Sequence, residues 1–107
     1  MKTFDIIINK ILGIPEIESK VDLVELYVAE GVIFCEIHET SGEPDTGAFT
    51  TDDLWEVKTE NSTIPVRIVI TANKGGIPLK DSIFYDAKNW MDKVKDILQF
   101  YLYDCKI

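Results

Sequence analysis

The chain has 107 residues and 12.2 kDa, 46% apolar and 28% charged, a composition that fits one globular domain spanning 1–107. Eleven Lys and Arg stand against nineteen Asp and Glu, giving a net charge of −8 and a pI near 4.5. That balance argues against direct nucleic-acid binding, which relies on Lys and Arg to displace counterions. Cys35 and Cys105 are too few for a disulfide framework or a zinc site. No apolar run approaches the roughly 18 residues of a membrane span. The stretch from Ile6 to Ile14 is broken by Asn9 and Lys10 and has no small-residue cleavage site, so no signal peptide is expected. The expectation is a cytoplasmic chain with no membrane contact.

Phe4, Ile7, Ile8 and Ile11 fall at i, i+3, i+4 and i+7, which predicts a short helix. Thr3 is placed to cap it, Gly13 to take the left-handed position after it, and Pro15 to stop it. Leu23 to His38 reads as a β-hairpin with Glu30-Gly31 as a two-residue turn. That register pairs Ala29 with Val32 and puts Val24, Leu26, Val28, Ile33, Cys35 and Ile37 on one face. A rival reading makes 20–30 a helix capped by Ser19; the β-branched Val21, Val24 and Val28 favour the strand. Ser41 to Asp53 is rich in turn formers and reads as a long loop, of the kind that often carries function.

Leu54–Glu60 and Ile64–Ala72 predict a second hairpin around Asn61-Ser62-Thr63. Pro65 suggests an edge strand or a strand start. The stripe Ala87, Trp90, Met91, Val94, Ile97, Leu98, Tyr101 and Leu102 predicts a long amphipathic helix with Asp86 as its cap. The order is α-β-β-β-β-α. It implies an α+β domain with a single antiparallel sheet of about four strands, covered on one face by the C-terminal helix.

The charge is segregated. Residues 16–60 carry thirteen acidic and two basic side chains, whereas the flanking segments are mildly basic. An acidic stretch of this kind suits docking on a cationic partner, since complementary charge speeds encounter and rejects wrong partners.

Pro44-Asp45, followed after ten residues by Glu56-Val57-Lys58, resembles the PD-(D/E)xK signature of a nuclease superfamily. The resemblance implies Asp45 and Glu56 as Mg²⁺ ligands and Lys58 as the residue beside the attacking water. The plain alternative is a hairpin strand whose Trp55 and Val57 point inward while Glu56 and Lys58 face solvent. The acidity around the motif also repels a polyanion.

In the first hairpin Glu25 falls opposite Glu36, with His38 on the same face. Opposed carboxylates need compensation, and Arg67, the only arginine, is the natural candidate. Phe84, Tyr85, Trp90, Phe100, Tyr101 and Tyr103 crowd the C-terminus, and the ones off the helix stripe suit an interface, a homodimer among the options.

No catalytic set, metal site or cofactor motif carries more weight than these. The leading expectation is therefore a non-catalytic, acidic protein-binding module. It would inhibit a basic partner such as a toxin or nuclease by covering its cationic or nucleic-acid-binding surface. Bacterial immunity proteins, antitoxins and phage counter-defence proteins share this profile of size and charge. Glu39, Glu43, Asp45, Asp52, Asp53 and Glu56 are the expected partner-binding residues. The alternatives are a small Mg²⁺ nuclease and a phage or structural assembly component.

Overall fold

The computed structural model describes residues 2–18, 21–39, 49–72 and 87–104. The elements are α1 (Lys2–Leu12), α2 (Pro15–Glu18), β1 (Val21–Ala29), β2 (Val32–Glu39), β3 (Phe49–Lys58), β4 (Thr63–Ala72) and α3 (Ala87–Leu102). This is the expected α+β order with one short helix added.

α1 buries Phe4, Ile7 and Ile11 along one stripe. Its ends differ from the sequence reading. The helix already includes Thr3, so Thr3 caps nothing, and Gly13 is not left-handed, Gly31 being the glycine with positive φ among the described residues. The chain instead tightens, with Ile14 N–H donating to the Ile11 carbonyl at 3.1 Å, and Pro15 opens α2 rather than ending the structure. Proline suits a first helical turn, where its missing N–H has no partner to lose. Glu16 then pairs with Lys93 of α3 at 2.8 Å, a partly exposed tie of about 0.5 kcal/mol.

The first hairpin has the predicted register, Ala29 opposite Val32 through Val24 opposite Ile37. Glu30 (φ 53°) and Gly31 (φ 79°) both take positive φ, the geometry of a type I′ turn, whose twist matches that of the strands. An irregularity between Val21 and Leu23 shifts the alternation, so Val21 and Val24 are both buried.

The sheet order is β1-β2-β4-β3. β1/β2 and β3/β4 are antiparallel, but the central pair β2/β4 is parallel, so the expected all-antiparallel sheet is corrected to a mixed one. The reason lies in the second hairpin. β4 buries Ile64, Val66, Ile68 and Ile70, whereas β3 carries Asp52, Asp53, Glu56 and Lys58. The apolar strand takes the centre and the charged one takes the edge, where charge discourages further pairing. Pro65 sits at the start of β4, opposite Glu56, and the pairing with β2 begins one residue later at Val66. β3 begins at Phe49 rather than Leu54, because pairing with Ile68–Ala72 overrides the turn-forming composition of 49–53.

α1 lies over β1 and α3 over β3, on the same side of the sheet. Trp90, Val94, Leu98 and Leu102 of α3 are fully buried against Ile33, Cys35, Ile37, Val57 and the β4 isoleucines. None of the described helices is long and apolar enough to cross a membrane.

Candidate functional site

Strand alternation sends every second residue away from the helices. On that side stand Leu23, Glu25 and Tyr27 of β1, Phe34, Glu36 and His38 of β2, Arg67 and Val69 of β4, and Leu54, Glu56 and Lys58 of β3. Among the described residues no element covers them. Leu23 is 44% exposed, Tyr27 39% and Leu54 59%. An exposed apolar set rimmed by charge marks a contact surface more often than chance.

The centre of this face is ordered by cross-strand pairs. Tyr27 and Phe34 stand opposite each other and stack, ring centroids 5.1 Å apart and 5° from parallel. One pair further along, Glu25 faces Glu36 as expected. The Tyr27 hydroxyl donates to Glu36 Oε2, and His38 Nε2 lies 3.3 Å from Glu36 Oε1. The hydrogen bond to Glu36, and then burial and the nearby charges of Glu36 and Glu25, hold the Tyr27 pKa above its ordinary value. Arg67 stands opposite Phe34, one position from the Glu36–Val69 pair. Tyr27, Val32, Phe34, Glu36, Arg67 and Val69 are among the residues that line a shallow depression of about 380 Å³.

Chemically this is an aromatic shelf flanked by carboxylates. Such a shelf suits a Lys or Arg side chain, whose cation is attracted to ring faces and carboxylates alike. Among the described residues no group of three or more His, Cys, Asp or Glu is placed to hold a metal ion. Cys35 is fully buried under the opposite face, where burial, and secondarily the charge of Glu36, push its thiol up to about 12.

The six expected partner-binding residues are dispersed. Glu56 is exposed on the helix-free face, beside Lys58, while Val57 between them is buried, as the plain strand reading requires. Asp52 and Asp53 lie within β3, opposite Val69 and Ile68. Glu39 is buried (1% exposed) at the end of β2 and so presents no surface to a partner. Glu43 and Asp45 lie outside the described residues, as do the Asp86 cap, Phe84, Tyr85 and Cys105. Glu25 and Glu36 were not among the six, although the hairpin register already placed them on the face that Val24 and Ile37 leave.

A second exposed area lies at the end of α3. Phe100 is 74% exposed and Tyr103 47%, both off the buried stripe. With Gln99, Tyr101 and Asp104 they line an open depression of about 490 Å³. Comparison with protein-family models, with curated proteins and with solved structures finds no match for the chain.

Proposed function

We propose that the chain is a non-catalytic, acidic binding module that docks its helix-free sheet face on a basic protein and occludes a cationic surface there. The observation that carries this reading is the Tyr27–Phe34 shelf with the Glu25–Glu36 carboxylate pair beside it, and Glu56 on the same face. Aromatic area supplies rigid contact at small entropic cost, and the carboxylates select a partner rich in Lys and Arg. Asp52, two strand pairs from the Leu54–Arg67 pair in alternation, adds a further acidic position to the same face of β3. The mode of action is that of an immunity protein or antitoxin, working in the cytoplasm against a toxin or nuclease.

Affinity capture from the native host at low salt tests this reading. Immobilised wild-type chain should retain a basic protein that elutes as salt is raised, and the double reversal Glu25→Lys/Glu56→Lys should lose it. Retention of an acidic protein, or equal retention by the reversal variant, contradicts the proposal.

A further inference from the structure

The two edges of the sheet are treated differently. At the β3 edge, the Gln99 side chain of α3 acts as a short strand, its Oε1 accepting from Lys58 N–H at 3.1 Å and its Nε2 donating to Lys58 C=O at 2.6 Å. Just beyond, Glu60 N–H donates to the Tyr103 carbonyl. β3 is also charged along its length. These are the devices by which proteins blunt an edge.

β1 has less of this. Asp22 and the irregularity after Val21 lie at its start. From Leu23 to Ala29, Glu25 is its one charge, with no bulge and no capping side chain among the described residues. Its nine residues, VDLVELYVA, include no Lys, Arg or Pro, and among the described residues its backbone bonds to β2 alone. The turn sets which groups are free. A two-residue turn makes Ala29–Val32 a hydrogen-bonded pair, so residues 29, 27 and 25 bond inward. Val24, Leu26 and Val28 therefore turn their N–H and C=O to the edge that no other described strand pairs with. Val28 belongs to the helix-side face and is nonetheless 41% exposed, and Leu26 is only half-buried.

We propose that a second copy of this chain occupies this edge, the two β1 strands pairing antiparallel about a two-fold axis at Leu26. In that register Leu26 meets Leu26 of the partner subunit and Val24 meets Val28 of the partner subunit, closing about six hydrogen bonds. On the other face Tyr27 meets Glu25 of the partner subunit, so the two Glu25 carboxylates do not stand opposed to each other. Centring the axis on Glu25 would oppose those two carboxylates directly, which costs stability in a sheet. Centring it on Tyr27 would carry Val24 past the end of the partner's strand to its turn. The Leu26 register is the one that joins all three free positions and extends the sheet to eight strands. This inference is independent of the partner reading above.

The test is the mass of the full chain in solution, together with cysteine cross-linking in a Cys105→Ser background. The wild type should sediment at about twice 12.2 kDa at high micromolar concentration. Leu26→Cys should then form a disulfide-linked dimer about tenfold faster than Val28→Cys, because directly paired Cα atoms lie within disulfide range and positions four residues apart do not. Leu26→Lys, which opposes two ammonium groups on the axis, should return the mass to that of the monomer. A monomer at every concentration overturns the proposal. So does a dimer whose Leu26→Cys form cross-links no faster than Val28→Cys, since that dimer uses another surface.

Discussion

The Glu36 carboxylate receives the Tyr27 hydroxyl on one oxygen and approaches the His38 ring with the other, while Glu25 stands across the strand pair. The hydrogen bond to Glu36, burial, and the charges of Glu36 and Glu25 disfavour the Tyr27 phenolate, so the fold favours the protonated hydroxyl. The sign follows from linkage. Tyr27's contribution to stability is whole below the usual tyrosine value of about 10 and is lost as pH rises through the raised folded value. An NMR titration of the tyrosine rings should place Tyr27 above the ordinary value, and Glu36→Gln should bring it back down. A Tyr27 that titrates at the ordinary value in the wild type removes the contact from the account. The opposition of Glu25 and Glu36 was legible in the sequence, because the turn residues fix the register. The hydroxyl of Tyr27 as a partner was not, since it sits one pair away and reaches diagonally along the face.

At the scale of elements, the first hairpin and the C-terminal helix follow from local signals. Glu30-Gly31 sets the turn, and the stripe ending in Leu98 and Leu102 sets the buried side of α3. The strand order did not follow, because it depends on competition between β3 and β4 for a place beside β2. The signal was present in the isoleucines of β4 against the aspartates of β3, but Pro65 pointed the other way until its position ahead of the β2 pairing was known. Gln99 was likewise hidden. On a helix wheel it is a polar residue on the outer side, and only the packing of α3 on β3 brings its amide to Lys58. Gln99→Ala should lower unfolding free energy by about 1 kcal/mol in urea titrations, with faster amide exchange at Lys58. Unchanged stability and unchanged exchange at Lys58 would mean that the edge needs no such protection.

For the whole molecule, the net charge of −8 is concentrated in residues 16–60, and the fold gives part of that charge a surface. Glu25 and Glu36 join Glu56 on the face without helices, beside the Tyr27–Phe34 stack, whereas Glu39 is withdrawn into the interior. Along the chain the acidity forms one stretch, which points to residues that are neighbours in sequence. The sheet selects residues across strands instead, because alternation decides which side each one meets. Ionic-strength dependence of association with the captured partner tests docking through this face. The wild-type association rate should fall about tenfold or more as salt is raised from low to physiological levels. For Glu25→Lys/Glu56→Lys the rate should be low throughout and nearly independent of salt. The same rate and salt slope for both proteins would contradict docking through this face.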